Sequence, residues 1–597
     1  MPVLETSAEC RVLIDNKEIK HDVSSAELQQ HVDDHHVLRL RLRRVGKVAG
    51  DRDFEDPKPF TRFLGKPLSM TITPYGGVVD PGRNLEFIGL VTEVSFENSI
   101  DGINTVLVTA HSPTVTLDGA AQNALHHEQS ASDIIGTIVR SYPISLGKLE
   151  SSSGTLKFSV QYRESDYDYV MRLASTSGLF ACYDGTEFNL SQANSSNSEE
   201  LVWRQTLGAF TMGLGTGIEK VGSQEYDYSK KEIYDGEASG ALRTALSTMS
   251  KISHEASKQL YPAVHFVGPG FKPSSQGNLD KSLERVRESV IGRLVSCRGE
   301  SIVPAVRVGH CVKIKGMDQL DGQYWITSIK HVFDESGKYH NAFVCTPLDL
   351  AFPARKYSRH PFTDLQTGIV TDTDDPDRLG RVKVRFHWNA RGGAPAEPEV
   401  WVRVLTSHSG GKRGLYCLPE IDDEVLIGFE HGDPGLPLVL GSLYNGKDVP
   451  PVDHKVSWSG ADNNLKLFRT KSDNEIYFCD DSGKETIVIV QKDEKNSITL
   501  TLDGPKIAIE SQGDISITGA NISLESTKGD IEVKSAKALK ASSGTDTEIK
   551  ASTNMKLQAG ANLDMSASAN AKLEAGAKAD LSAGAMMTIK GAIVQIN

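Results

Sequence analysis

The feature that most constrains this fold is an eight-residue repeat in the last tenth of the chain. Apolar residues recur there in pairs whose members are two positions apart, and each pair returns after eight residues. Fixed-period self-similarity of this kind indicates a repetitive architecture. The first members are Met555, Leu563, Ala571, Ala579 and Met587, and the second members are Leu557, Met565, Leu573, Leu581 and Ile589.

The period favours strands over a helix, although the segment is rich in alanine. Eight residues advance a helix by about 800°, so an apolar stripe would spiral around it, and a coiled coil requires a period of seven. On a strand, an even interval always returns to the same face. The pattern therefore predicts short strands of one octad each, with turns near Gly560, Gly576 and Gly584.

A strand of one octad cannot bury its apolar face alone, so the repeat predicts stacked octads closed by neighbouring chains. Many inward positions are alanine, and Phe478 is the last aromatic residue, so the interior is narrow. We expect an intertwined β-helix, the needle, over residues 500–597, with irregular spacing near Gly519 and Gly529. A disordered low-complexity tail is the alternative. The expected needle core includes Leu557, Met565, Leu573, Leu581 and Ile589.

The length of 597 residues predicts three or four domains. The net charge is −13, so three copies would carry −39, which argues against a nucleic-acid-binding surface. The seven scattered cysteines form no Cys-x-x-Cys pair and predict reduced thiols in a protein made in the cytoplasm. We find no signal peptide and no run of 18 apolar residues, so export requires a route that reads no N-terminal signal.

Residues 1–350 predict a mainly β region with inserted helices. Residues 8–115 alternate apolar and polar side chains between turn residues, which is typical of a barrel or sandwich. The basic cluster 39–44 is interpreted as the solvated face of a strand, with a basic patch as the alternative. Helices are predicted at 131–142, capped near Ser132 or Asp133, and at 166–177, closed by Gly178. Further helices are predicted at 241–259 and along an apolar stripe at 279–294.

Residues 351–366 are interpreted as a linker, and five short strands with tight turns follow in residues 367–447. This pattern predicts a small closed barrel of the oligonucleotide/oligosaccharide-binding (OB) type. Residues 448–499 are then a neck that leads to the needle.

Three segments resemble one family. Asp375-Pro-Asp-Arg-Leu-Gly-Arg-Val-Lys-Val384, with Gly432-Asp-Pro434 and Gly441-Ser-Leu-Tyr-Asn-Gly446, resembles the barrel of VgrG proteins. These are the spike proteins of type VI secretion and related contractile injection systems. Gln161-Tyr-Arg-Glu-Ser-Asp-Tyr-Asp168 resembles the hub motif of the same family, and the octad repeat is the third match.

The resemblance implies a homotrimer whose parts have separate mechanical roles. The N-terminal region would form a phage-hub-like ring of two β-barrels per chain, seated on a hexameric, Hcp-like tube protein. The OB barrel would form the neck of a triple-stranded β-helical needle. Baseplate proteins, effectors and a PAAR-type tip protein are the implied partners, and sheath contraction would drive the assembly through a target envelope. The hub and spike of a phage or phage-like particle, or a cell-wall-degrading tail enzyme, are the alternatives.

Catalytic and metal-binding motifs are absent from the sequence. There is no Gly-x-Ser-x-Gly, His-Glu-x-x-His or Walker loop, and the interval between barrel and needle is too short for a lysozyme domain. We also expect no effector domain after Asn597. The glycine cluster 213–217 is interpreted as a turn rather than a nucleotide site. We therefore predict no enzyme, no cofactor and no nucleic-acid partner.

Two weaker patterns could suggest metal binding. The acidic run Asp372, Asp374, Asp375 and Asp377 mimics a calcium loop but lacks its glycine and glutamate, so a hairpin turn is preferred. The histidines His310, His387 and His408 do not cluster in the sequence, and ordinary strand histidines are preferred to a metal site.

The chain's last residues suggest a docking platform. Three copies of Ile593 and Ile596 would form a small apolar surface at the needle end, worth about 1.5–3 kcal/mol for each fully buried isoleucine. The alternative is that they only complete the last octad. The predicted site for the tip protein comprises Ile589, Gly591, Ile593, Val594, Ile596 and Asn597.

Overall fold

The computed structural model describes most of the chain and divides it into two units, residues 1–453 and 454–597. The described ranges are 4–19, 22–43, 58–75, 77–98, 104–152, 154–240, 242, 245–267, 273, 275–354, 363–387, 399–451 and 463–596.

The first part of unit one is mainly β. Its strands are Thr6–Ile14 (β1), Lys17–Glu18 (β2), Asp22–His31 (β3), Val37–Arg43 (β4), Pro67–Pro74 (β5), Leu85–Asn98 (β6), Asn104–His111 (β7), Gln122–Gln129 (β8), Leu146–Leu149 (β9), Leu156–Glu164 (β10), Phe180–Tyr183 (β11), Phe188–Ser191 (β12), Ser198–Val202 (β13), Leu207–Leu214 (β14), Val221–Asp227 (β15), Glu232–Ala238 (β16), His265–Phe266 (β17), Val295–Ser301 (β18), Cys311–Lys315 (β19), Gly322–Phe333 (β20) and Lys338–Pro347 (β21). Its α-helices are Lys58–Thr61 (α1), Ala131–Arg140 (α2), Asp166–Ser177 (α3), Thr248–Leu260 (α4) and Gln276–Ile291 (α5).

Two barrels share one hairpin in this region. Strands β20, β3, β4, β7, β6, β5, β1 and β21 follow one another in that order, and the β20–β21 pairing closes them into a ring. A second path, β13–β19–β20–β21–β18–β14, uses the same two strands and surrounds a separate apolar core. The sequence prediction of two β-barrels with inserted helices is confirmed.

The alternation along β4 shows which of its side chains form the core of the first barrel. Leu38, Leu40 and Leu42 are buried in its core, whereas Arg39 and Arg41 face solvent. Both arginines therefore lie on a solvated strand face, as predicted. The last residue of the predicted basic cluster, Arg44, lies outside the described residues.

Capping residues determine where the helices begin and end. Helix α3 has the predicted bounds; the Ser165 hydroxyl accepts a hydrogen bond from the Asp168 N–H at 3.1 Å, and Gly178 closes the helix at a φ of 74°. Helix α2 ends at Arg140, and Ser130 caps it in place of Ser132 or Asp133 because the Ser130 hydroxyl reaches the N–H at position 133. Helix α4 begins seven residues later than expected, at Thr248.

Five of the seven remaining described strands of unit one form a small closed barrel with the order β22–β23–β24–β28–β27, and β25 and β26 pair with each other in a separate two-stranded sheet. Gly368 permits close packing there, since a Cβ at this position would lie 2.7 Å from Val384 Cγ1. Leu125, Val160 and Tyr162 of the antiparallel pair β8 and β10 join the barrel's apolar core. The strands are Gln366–Asp372 (β22), Arg381–Phe386 (β23), Val400–Val404 (β24), Ser409–Gly410 (β25), Arg413–Gly414 (β26), Glu424–Phe429 (β27) and Pro437–Ser442 (β28).

Unit two begins with an antiparallel meander of five strands in sequence order. The first predicted octad pair, Ile507 and Ile509, lies in its last strand, so pairing within the chain ends at Ser511. Throughout the described residues, no α-helix has both the length and the apolar character needed to cross a membrane. The meander strands are Leu465–Arg469 (β29), Glu475–Cys479 (β30), Thr486–Val490 (β31), Asn496–Thr501 (β32) and Lys506–Ser511 (β33).

Candidate functional site

The octad segment, residues 512–596, is built from extended stretches separated by regular bends. Two-residue backbone bends recur every eight residues from 536–537 to 592–593. Hydroxyl groups brace some of these bends: Ser535 Oγ donates to the Ala538 carbonyl at 2.9 Å, and Ser543 Oγ donates to the Asp546 carbonyl at 2.8 Å. The eight-residue period of the sequence is therefore also the period of the backbone.

Beyond Gln512, the backbone of this segment does not pair with other backbone groups of its own chain. No backbone-to-backbone hydrogen bond joins any residues between 513 and 596, all of which the structure describes. Extended backbone normally pairs its N–H and C=O groups with a neighbouring strand. A single chain thus leaves a complete set of strand edges open along the segment.

The apolar residues of the segment are equally open. Met565, Leu573 and Leu581 are 82%, 77% and 68% exposed, although each belongs to the repeating apolar pair. Apolar area of this extent marks an interaction surface rather than a solvent-facing one. The other predicted core residues, Leu557 and Ile589, are exposed in the same way.

The predicted tip residues lie at the end of the same open surface. Ile593 and Ile596 are 84% and 86% exposed, and Val594 is about half exposed. At Gly591 a Cβ would approach the Ile593 carbonyl oxygen to 3.1 Å, so the bend after the last octad is tight. Asn597 lies outside the described residues. The assignment of these residues to tip binding remains a prediction.

The acidic run of the small barrel forms a turn between β22 and β23. Both Asp375 carboxylate oxygens accept hydrogen bonds from within the turn, including the Leu379 N–H at 2.8 Å and the Arg381 guanidinium at 2.6 Å. Burial acts to raise the pKa of the Asp375 carboxyl, but hydrogen bonds from Arg381 and from three backbone N–H groups lower it to about 2. Asp377 pairs with the same guanidinium at 2.7 Å. These carboxylates therefore stabilise a hairpin turn, which is the interpretation preferred from the sequence.

The hub motif 161–168 acts by joining the first part of unit one to the small barrel. Gln161 Nε2 donates to Asp166 Oδ1 at 2.9 Å, and the buried guanidinium of Arg172 pairs with Glu164. These bonds tie strand β10 to helix α3, and Tyr162 packs into the barrel core from that strand. The motif therefore has a structural role, which is to connect the first part of unit one to the small barrel.

Two cavities of the described chain lie in unit one. A cavity of about 320 Å³ is lined by apolar and polar residues, with His31, Asp33 and Arg293 among the polar ones. A second, of about 290 Å³, contains Asp184 and His310, whose Oδ2 and Nε2 atoms are 3.6 Å apart. The Asp184 carboxylate is occupied by its own turn, since it accepts from the Thr186 and Glu187 N–H groups at 2.9 Å each.

The three histidines considered as metal ligands are not brought together by the fold. His310 lies beside the second cavity, whereas His387 and His408 are exposed on the small barrel. Within the described ranges, no three His, Cys, Asp or Glu side chains converge in a metal-binding arrangement. The glycine cluster 213–217 lies at the end of β14 and in the loop that follows it.

Sequence profiles match both parts of unit one. The profile of the type VI secretion system/phage-baseplate injector OB domain matches residues 366–444, which are the small barrel. The profile of the phage tail baseplate hub (GPD) family matches residues 38–337, half of the 597-residue chain.

The chain belongs to the baseplate hub family.

The relatives of this hub protein include VgrG proteins, so the resemblance predicted from the sequence is confirmed. Type VI secretion system spike protein VgrG1b of Pseudomonas aeruginosa is 24% identical over 503 residues, covering 76% of this chain and 65% of the relative. Actin cross-linking toxin VgrG1 of Vibrio cholerae is 26% identical over 414 residues, covering 61% of this chain and 36% of the relative. The hub protein therefore spans about a third to two thirds of the length of these two relatives.

A solved structure supports the fold over a larger share of the chain. The Francisella PdpA–VgrG complex in its half-lidded form gives a TM-score of 0.56 at 10% identity, covering 85% of this chain and 89% of that chain. The likeness concerns the fold alone, and agrees with the mainly β architecture and the closed OB-like barrel.

Proposed function

We propose that this hub protein is the homotrimeric spike of a contractile injection apparatus of the type VI secretion class. The observation that carries the proposal is the octad segment: residues 513–596 form no backbone-to-backbone hydrogen bond within the chain, and their apolar face is exposed. Copies of the same segment offer both the missing strands and a matching apolar surface. The number of three copies is the one implied by the resemblance to VgrG proteins, which are among the relatives of this chain.

The proposed role of the segment is mechanical. An intertwined β-helix has no free strand edge along its length, because each edge pairs with another copy. Such a rod resists local opening when it is pushed lengthwise. We propose the domain limits 1–350 for the hub, 351–366 for the linker, 367–447 for the barrel, 448–499 for the neck and 500–597 for the needle.

The proposed partners follow the same arrangement. The hub would rest on a hexameric tube protein, the needle end would hold a tip protein, and effectors would travel with the assembly. Two relatives support an effector partner: the Francisella VgrG was solved in complex with PdpA, and the Vibrio cholerae relative is named as a toxin. We also propose that the spike assembles in the cytoplasm and is exported by the contractile injection apparatus.

We further propose that the protein acts without catalysis. The charged groups of the barrel turn and of the second cavity are occupied by internal hydrogen bonds, which supports structural roles for them. The cell-wall-degrading alternative predicts hydrolysis of peptidoglycan by the purified chain, and we expect none.

The proposal is tested with a pair of adjacent variants of the full chain. Leu557→Asp places a carboxylate on the apolar face, whereas Gln558→Asp places the same group on the opposite face of the extended chain. The parent and Gln558→Asp are expected to have the native mass of three copies and to keep a protease-resistant C-terminal part. Leu557→Asp is expected to lose that resistance because the needle core excludes the charge.

Export gives the functional half of the test. In producer cells with a working contractile apparatus, the parent and Gln558→Asp should appear outside the cell, and Leu557→Asp should not. A monomeric parent chain, or equal resistance and export of both variants, would contradict the proposed spike.

A further inference from the structure

The outward side of the octads carries charge in a regular order. Each apolar pair encloses one residue, here called the middle residue, such as Lys556 between Met555 and Leu557. In seven successive octads this residue is charged, and its sign changes at every step from negative to positive and back. The seven middle residues are Glu532, Lys540, Glu548, Lys556, Asp564, Lys572 and Asp580.

Ion pairs within the chain show which way the middle residues face. Lys534 Nζ lies 2.6 Å from Glu532 Oε1, and Lys550 pairs with Glu548 in the same way. Residues two apart on an extended chain share a face, opposite to the residues between them. The middle residues therefore face away from the apolar pairs, and these pairing side chains are about 70–80% exposed.

In the proposed needle the neighbouring strands of each octad come from other copies, because residues 513–596 form no backbone-to-backbone hydrogen bond within their own chain. In the proposed needle, the bend after each octad carries the chain to the next of three faces, so that every octad stacks against the following octad of another copy. Neighbouring strands lie about 4.8 Å apart. Each middle residue is thus placed beside a middle residue of the opposite sign.

We propose that this row is an ion-pair ladder between chains that sets the register of the needle. The inference rests on the three-chain needle of the proposed function and adds what aligns its chains. A slip of eight residues would leave the repeating apolar faces matched, so those faces define the register only weakly. The same slip would bring middle residues of equal sign together along the whole row, which is destabilising.

The outward position two residues further along the chain does not show this order. Two residues after each middle residue, four of the eight side chains are neutral, and the three lysines and one glutamate among the rest do not alternate in sign. These residues are Lys534, Ser542, Lys550, Gln558, Ser566, Glu574, Ser582 and Lys590.

The ladder is tested by chain sorting. An inverted full-length chain reverses all seven middle charges together with their in-chain partners Lys534, Lys550, Glu574 and Lys578, so that pairs within the chain are kept. Alone, it retains the alternation and should form trimers like the parent. In a mixed trimer, equal charges would lie side by side wherever a parent chain neighbours an inverted chain.

The two chains are co-expressed with different tags, and the trimers are weighed by native mass spectrometry. Two differently tagged parent chains should mix statistically, whereas parent and inverted chains should form mixed trimers at least tenfold less often. Any mixed trimer held by its hub should have an octad segment that protease cleaves readily. Statistical mixing with protease-resistant needles would overturn the ladder, as would failure of the inverted chain to trimerise alone. A monomeric parent would instead overturn the proposed spike.

A single substitution provides a second measurement. Lys556→Glu should lower the urea concentration at which the octad segment becomes protease-sensitive, because the introduced carboxylate would meet Glu548 and Asp564 of other copies. Lys590→Glu makes the same charge change beside the neutral Ser582 of its row and should leave that concentration unchanged. Equal effects of the two changes would contradict the proposal.

Discussion

At the scale of single residues, the first barrel encloses two neutral histidines. Gln30 Nε2 donates to His36 Nδ1 at 3.1 Å, and His331 Nε2 donates to Gln30 Oε1 at 3.1 Å. Tyr339 Oη donates to His331 Nδ1 at 2.6 Å, which completes a buried chain of polar groups across β3, β20 and β21. Burial lowers the pKa of each histidine to about 3.

This network predicts a dependence of hub stability on pH. The unfolded chain binds protons at both histidines below about pH 6.5, whereas the folded barrel excludes them down to about pH 3. Their contribution is therefore complete above pH 6.5 and is lost as the pH falls towards 3, by about 1.4 kcal/mol per pH unit for each histidine. Urea unfolding of the hub between pH 7 and pH 5 measures this slope.

A matched pair of variants assigns the slope to the network. Replacement of His331 by Gln should flatten the pH dependence by about one proton, whereas replacement of the exposed His408 by Gln should not change it. A slope that is unaffected by His331→Gln would show that the buried histidine does not cause it.

The barrel turn offers a second prediction at this scale. Asp375→Ala removes the acceptor for Arg381 and for several backbone N–H groups, so we expect the barrel to lose about 2–3 kcal/mol of unfolding free energy. Asp377→Ala removes only an exposed partner and should cost less than about 1 kcal/mol. Denaturant unfolding of both variants, monitored by hydrogen exchange in β22 and β23, makes the comparison, and equal losses would contradict it.

Some of these residue-level features could be predicted from the sequence, and others could not. The alternation of Leu38, Arg39 and Leu40 shows which side chains enter the barrel, because a strand has a fixed period. The contact between Gln30 and His331 has no such signal, since the two residues are 301 positions apart and meet only after the ring closes.

At the scale of elements, local patterns predict helix α3 completely because its capping serine and closing glycine are adjacent to it. The strands of the hairpin β20–β21 are also predictable, but their membership of two barrels is not. That role depends on a bulge near Thr327, before which β20 pairs with β19 and after which it pairs with β3. Pairing partners so distant in sequence leave no local pattern.

The needle end carries a prediction at the element scale. Ile593→Asp combined with Ile596→Asp should abolish binding of a tip protein while leaving the trimer intact, because two exposed apolar side chains per copy become charged. Lys590→Asp changes a nearby outward residue and should retain binding. Co-purification of the tip protein with each variant measures the effect, and capture by the double variant would refute the platform.

At the scale of the whole molecule, the octad segment differs from the rest of the chain because its apolar residues are exposed. Its period, its strand character and its bends could all be predicted, because each recurs in every eight residues. Leu573 and Leu581 are 77% and 68% exposed in the single chain, and in the proposed needle other copies cover them. The hub and the small barrel differ in this respect because each builds its own apolar core.

Amide hydrogen exchange of the full-length protein tests the three-chain needle most directly. In a single chain, residues 513–596 have no backbone hydrogen bonds to one another, so their amides should exchange within seconds. If three copies pair these strands, peptides from this region should remain protected for hours at neutral pH. Protection throughout the segment is the predicted result, and rapid exchange of the segment in the assembled protein would contradict the spike.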